Sequence, residues 1–242
     1  MPHGAPDDSD VVKRGAAYRL DDMAELAARL GSPMTFNRQG DVVWLDTFAG
    51  GVNGWVRYTG GAGILIELEN THFLTEGLAC VLTVAVADPR YAMIYRSFPY
   101  YSDTRLGFGI TYACAGANST VGLEMDYFEG AFYYKGLIRI DHTSGDVTYL
   151  DTTGGFTALG NLGLLDGVGV IWYPTKLIID TLANEYVGFY HGDTYYNMAG
   201  IPLYTGGSAL APHSMTVVTF SDTVGSGQSL YLDSAIYTEN EF

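Results

Sequence analysis

The chain has 242 residues, 27 acidic against 12 basic, and a formal net charge of −15. That field repels phosphate backbones and anionic lipid, which sets nucleic acid and membrane surfaces aside as partners. No apolar run reaches the roughly 18 residues of a membrane-spanning helix, and the opening "MPHGAPDDSDVVKRG" lacks the apolar stretch of a secretory signal. With 48% hydrophobic residues, the length suits one large β domain with a real core.

In chain order, residues 1–19 are polar and charge-rich and read as a flexible arm. The segment "LDDMAELAARLGS" follows. Asp21 or Asp22 caps it, Leu20, Met23, Leu26, Ala27 and Leu30 share one helical face, and Gly31 with Pro33 stops it. One short amphipathic helix is expected there, and residues 1–40 form an arm-and-helix unit ahead of a domain spanning 41–242.

From residue 34 onward the pattern is strands and turns. "GILIELE" alternates, "LACVLTVAVA" is a continuous apolar run suited to a strand covered on both faces, and "RYAMIYRSF" sets Ala92, Ile94 and Arg96 opposite Tyr91, Met93 and Tyr95. Strands continue through "RLGFGITYACA", "TVGLEMDYF", "AFYYKGLIRI", "TKLIID", "YVGFY", "SMTVVTF" and "SLYLDSAIY", broken by turns such as "DHTSGD", "DTTGG" and "HGD". About a dozen short strands at even spacing predict an all-β jelly-roll β-sandwich.

Two end segments carry a family likeness. "LDTFAGGVNGW" (45–55) resembles the opening strand and loop of concanavalin A-like and laminin G-like jelly rolls, and "SLYLDSAIYTEN" (229–240) resembles their closing strand, with Ser234 in place of a second Asp. The likeness runs over roughly residues 42–240. It implies the fold, which hosts lectins, enzymes and scaffolds alike. The preceding "YRLDDMAELAARLGSPMTFNRQGDVVWLDTF" resembles virion-associated proteins of tailed phages. That implies residence in a virion assembled in the host cytoplasm, in accord with the missing signal.

"LEMDYFEG" (123–130) raises a competing reading. It matches in letters the Glu-x-Asp-x-x-Glu of laminarinase- and lichenase-like glycoside hydrolases. That resemblance implies Glu124 as nucleophile, Asp126 as a tuning carboxylate and Glu129 as acid/base. Retaining glycosidases need two carboxyl groups about 5–5.5 Å apart. Against this, Glu129-Gly130 leads at once into "AFYYKG", so Glu129 falls on a hairpin. Leu123, Met125 and Tyr127 form a plain core face, which leaves Glu124 and Asp126 on the wet face, and no Trp lies nearby. No catalytic residue is therefore assigned, and the chain is expected not to be an enzyme.

The remaining candidates are bland. His3, His72, His142, His191 and His213 are dispersed, with His142 and His191 in turn-like segments expected to be solvated. Cys80 and Cys114 lie in apolar strands and read as buried free thiols, a cross-strand disulfide being the alternative. No cofactor is implied. The family likeness makes Asp46 and Asp233 candidates for a structural calcium ion, but two carboxylates fall short of its roughly 6–8 oxygen ligands. The Tyr pairs of "FPYYSD", "FYYKG" and "GDTYYN" suit glycan stacking or sheet packing.

The leading expectation is a non-enzymatic structural protein of a phage-like virion: a capsid decoration, fibre or surface adhesin. It would dock on other virion proteins through its arm, as a homo-oligomer, with a cell-surface glycan as a further partner. The alternatives are a carbohydrate-binding module acting by aromatic stacking, and a retaining β-glucanase-like hydrolase using Glu124 and Glu129.

Overall fold

The computed structural model describes residues 40–59, 63–74, 77–85, 91–100, 103–116, 118–163, 165, 169, 171–222 and 227–241. The arm and helix expected over residues 1–40 lie outside the described residues, except for Gly40. In chain order the described strands are β1 (Asp41–Asp46), β2 (Val56–Thr59), β3 (Ile64–Glu69), β4 (Ala79–Val84), β5 (Tyr91–Phe98), β6 (Arg105–Ala115), β7 (Ser119–Phe128), β8 (Phe132–Asp141), β9 (Asp146–Leu150), β10 (Phe156–Asn161), β11 (Tyr173–Asp180), β12 (Glu185–His191), β13 (Thr194–Pro202), β14 (Tyr204–Gly207), β15 (His213–Asp222) and β16 (Gln228–Glu239).

They form two antiparallel sheets. The first runs β13-β12-β11-β6-β16-β4-β3, with β1 also on β16, and the second runs β10-β9-β8-β7-β15-β5-β2, with β14 also on β8. This is the jelly-roll β-sandwich that the strand spacing predicts. No helix occurs among the described residues.

The core lies between the sheets. β6 contributes Leu106, Phe108, Ile110 and Tyr112, and β7 contributes Val121, Leu123, Met125 and Tyr127, all at most 1% exposed. Each such side chain taken from water contributes about 1.5–3 kcal/mol. The alternation expected in β5 is present: Ala92 and Ile94 are buried while Tyr91 is exposed. β4 is covered on both faces, as its continuous apolar run requires.

β16 serves three neighbours. One edge pairs with β6, and the other pairs first with β4 and then with β1. A register shift between Leu232 and Ser234 inverts the strand's alternation. Leu230 and Leu232 face the core before it, and Ala235 and Tyr237 after it. This bulge is why "SLYLDSAIYTEN" does not keep one apolar period from end to end. Asp233 sits at the changeover, fully buried, with Oδ1 accepting the Leu74 N–H at 2.7 Å.

Tyrosine hydroxyls bolt the two layers together. Tyr186 of β12 receives the Leu137 N–H at 3.0 Å and donates to the Leu150 carbonyl at 2.9 Å, both on the opposite sheet. Tyr237 of β16 meets Ser214 of β15 at 3.0 Å. Gly136 makes room for the first of these ties, since a Cβ there would lie 2.9 Å from Ile179 and 3.3 Å from the Tyr186 ring.

Cys80 and Cys114 are buried free thiols. β16 runs between their strands, which places them two strand spacings, about 10 Å, apart. That exceeds the reach of a disulfide.

A candidate binding groove on the second sheet

Register places the site. β7 pairs β8 without a shift, so Glu124 faces Leu137, Asp126 faces Lys135 and Phe128 faces Tyr133. β15 sets Val217 beside Glu124 and Met215 beside Asp126. The even-numbered residues of β7 and the odd-numbered residues of β8 therefore share the sheet's outer face, away from the core. There Thr120 and Glu124 of β7 with Lys135 and Leu137 of β8 floor an open groove of about 720 Å³, with Tyr91 and Met93 on one side and Tyr133, Tyr204, Arg139 and Phe156 on the other.

The floor is ionic. Lys135 Nζ donates to Glu124 Oε1 at 2.7 Å and stands 3.6 Å from Asp126 Oδ2. The expectation that Glu124 and Asp126 are exposed to water is corrected here: they are only 9% and 4% exposed. Alternation alone assigns this strand face to solvent, but cross-strand neighbours cover it: Lys135 of β8 lies against both acids. Burial, and then the neighbouring Glu124 charge, push the Asp126 carboxyl well above its ordinary range against the pull of Lys135. Burial works to lower Lys135, and Asp126 and Glu124 outweigh it, so the ammonium is held above its usual range.

The walls are aromatic. The Tyr133 and Tyr204 rings stand 6.1 Å apart. Gly206 of β14 lets Tyr133 lie against the backbone, because a Cβ there would be 2.2 Å from the ring. The Arg139 guanidinium lies 3.7 Å from the centre of the Phe156 ring. Of the Tyr pair at 133–134, Tyr133 lines the groove, while Tyr134 stacks on the core residue Tyr127 at 4.8 Å. Tyr196 of β13 stacks on Phe189 at 6.0 Å, outside the groove.

Glu129 is elsewhere. It follows β7 in the hairpin, its N–H bonded to the Phe132 carbonyl at 2.9 Å, ahead of Gly130 at φ 91°. Its Oε1 accepts the Tyr100 hydroxyl at 2.9 Å. With no bulge in the β7–β8 register, nothing rotates Glu129 onto the face that carries Glu124. The two residues are therefore not brought together as an acid and nucleophile facing one groove.

Asp46 and Asp233 hold N–H donors. Asp46 Oδ1 accepts the Phe48 N–H at 2.8 Å and Oδ2 the Trp55 Nε1–H at 3.0 Å. These bonds close the 46–55 loop, with Phe48 at φ 59° stacked on Trp55. Three of their four carboxylate oxygens are thus engaged by N–H donors, and among the described residues no group of three or more His, Cys, Asp or Glu gathers to supply the roughly 6–8 oxygens that calcium takes.

His142 and His191, expected to be solvated, are 3% and 5% exposed. Their Nε2 atoms converge on the buried Tyr112 hydroxyl at 3.2 and 3.0 Å. Tyr112 lies on β6, His191 on β12 one strand beyond β11, and His142 just after β8 of the opposite sheet, so the fold gathers two segments that read locally as turns around one buried hydroxyl. Sequence reasoning also passed over Lys135 and Arg139. In a chain poor in cations, two on one face of one strand were the available signal.

No protein-family model and no curated protein matches the chain. Among solved structures it is similar to an endo-beta-1,4-glucuronan lyase from the fungus Trichoderma reesei, at 10% identity over 81% of this chain and 95% of that one, with a TM-score of 0.57. It is similar to a conserved carbohydrate esterase from Shiga toxin-encoding bacteriophage phi24B, at 15% identity over 84% and 100% of the two chains, TM-score 0.53. It also spans 19% of a sialidase at 12% identity, covering 83% of this chain with a TM-score of 0.50. At these identities the likeness shows the fold alone, a jelly-roll sandwich shared with proteins named for carbohydrates.

Proposed function

We propose that the protein is a glycan-binding jelly-roll module whose ligand lies in the groove of the second sheet, and that it binds without cleaving. The observation that carries this reading is the groove itself. A polar floor of Glu124 and Lys135, whose ammonium also stands 3.6 Å from Asp126, lies between the aromatic walls of Tyr91 and of Tyr133, Tyr204 and Phe156. Sugar rings offer an apolar face to aromatic side chains and hydroxyls to charged groups, and this surface supplies both. The solved neighbours whose names refer to carbohydrates support the same reading. Binding without cleavage is supported by the separation of Glu124 from Glu129 and by the engagement of Glu124 with Lys135.

A glycan array followed by calorimetry tests the reading. It expects saturable binding that Tyr133→Ala and Tyr204→Ala each weaken about tenfold, with no release of reducing ends. Binding that ignores both substitutions, or hydrolysis lost in Glu124→Gln, overturns it. The setting we propose for the module is the surface of a phage-like particle, on the strength of the resemblance of residues 18–48. Mass spectrometry of purified particles reads whether the chain is present, and its copy number there tests the expected self-association.

A further inference from the structure

We propose that the groove has two aromatic stations and takes an interior stretch of a linear glycan, held by Tyr58 and Tyr91 at one end and by Tyr133 and Tyr204 at the other. This rests on the glycan-binding reading above and names the ligand class of that same groove.

Length is the first argument. Tyr91 faces Ser221, Ser221 faces Thr120 and Thr120 faces Asp141, a line straight across β5, β15, β7 and β8. Tyr133 lies eight residues back from Asp141 on β8. The two ends are therefore offset along the strands as well as across three strand spacings. Their backbones stand on the order of 25–30 Å apart on that diagonal. One groove joins them, lined by Tyr91 at one end and by Tyr133 and Tyr204 at the other. Its volume of about 720 Å³, spread over such a length, makes a narrow trough. A trough of that form suits a chain of rings, where a single terminal sugar suits a short, closed pocket.

What stands at each end is the second argument. Tyr58 of β2 and Tyr91 of β5 are both exposed, and their rings stack at 5.8 Å. Neither belongs to the core. Register sets Tyr58 opposite Met93, a groove residue, so Tyr58 shares the outer face and carries the aromatic surface on to the sheet edge. A stacked pair that leaves much of its ring surface in water is a platform for the apolar face of a sugar. Beside it Thr120, Thr219 and Ser221 line the groove with hydroxyls, and Glu124 and Lys135 follow towards the far end. There the Tyr133 and Tyr204 rings stand 6.1 Å apart. Aromatic, polar and aromatic surfaces thus succeed one another along one trough, as an extended oligosaccharide requires.

The test is a length series measured by calorimetry on the full chain. The probes are cello-, laminari- and glucurono-oligosaccharides from dimer to hexamer, each hexamer also prepared with both ends capped. In a series that binds, affinity should rise about tenfold or more from dimer to hexamer, and the doubly capped hexamer should bind as the free one does. Tyr58→Ala and Tyr91→Ala should each flatten that rise while the thermal melt stays in place. Tyr204→Ala should lower dimer and hexamer alike. A dimer that binds as tightly as the hexamer, caps that abolish binding, or a rise that neither Tyr58→Ala nor Tyr91→Ala changes would overturn the two-station trough while the glycan reading stands. If no probe binds, both fall.

Discussion

Lys135 Nζ lies 2.7 Å from Glu124 Oε1 and 3.6 Å from Asp126 Oδ2, so one ammonium serves two carboxyl groups on the next strand. Removing it strands both buried acids. Lys135→Met should destabilise the protein by about 2–4 kcal/mol, read as a lower urea midpoint at unchanged slope. Adding Glu124→Gln to Lys135→Met should restore a good part of that loss. A single variant as stable as the parent would mean that the ion pair holds nothing in place.

Lys176 and Glu241 form a second, deeper pair, 3% and 5% exposed. Thr238 donates its hydroxyl to the same carboxylate, and Gly107 leaves the space they occupy, since a Cβ there would lie 2.7 Å from Lys176 Cε. Glu241→Ala should cost about 3–5 kcal/mol by leaving a buried ammonium, while Lys176→Met with Glu241→Leu should lie close to the parent. Chemical denaturation of the three variants checks the order.

Acid should act through His191. Burial, and then the neighbouring His142, lower its pKa from 6.5 to about 4. A folded-state pKa below the unfolded one means that the unfolded chain binds the extra proton. The stability this residue contributes is therefore complete above about pH 6.5 and is lost as pH falls towards 4, by about 3 kcal/mol in all. Melting temperatures measured across that window should fall more steeply in the parent than in His191→Gln. Parallel curves would remove His191 from the account.

Gly206→Ala should act on the groove through Tyr133, because the added methyl meets that ring. The expected result is a cost of about 1–3 kcal/mol in stability together with weaker glycan binding, the Tyr204 wall being intact. Calorimetry beside a thermal melt separates the two effects.

The thiols should be silent. Burial, and then the Asp46 charge, raise the Cys80 pKa to about 12, and the Cys114 side chain is 1% exposed. Neither should react with a disulfide reagent until the chain is unfolded, when two equivalents should appear.

The strands were legible in the sequence because alternation is a local signal: Ala92 and Ile94 inward with Tyr91 outward needs no partner to be read. The bulge at Leu232–Ser234 was not, because an inverted period looks like a broken one. The groove was legible least of all. Asp126 reads as a solvent-facing acid until the register of β7 with β8 sets it against Lys135, and the groove over that lysine needs Tyr204 and Phe156 from segments some 70 and 20 residues beyond it. The three acids of "LEMDYFEG" shared a spacing but not a face, and only the absence of a bulge in that hairpin separates Glu124 from Glu129.

The tie from Tyr186 to Leu137 and Leu150 reaches the underside of the groove, since both leucines also line it. A strand fixed from behind by the opposite layer cannot bow away when a ligand presses on its front. The entropy of shaping this surface is then spent during folding, before any ligand arrives. Mutating Tyr186 to Phe would keep the ring and release the floor, so its effect on ligand affinity measures how much of the recognition is rigidity.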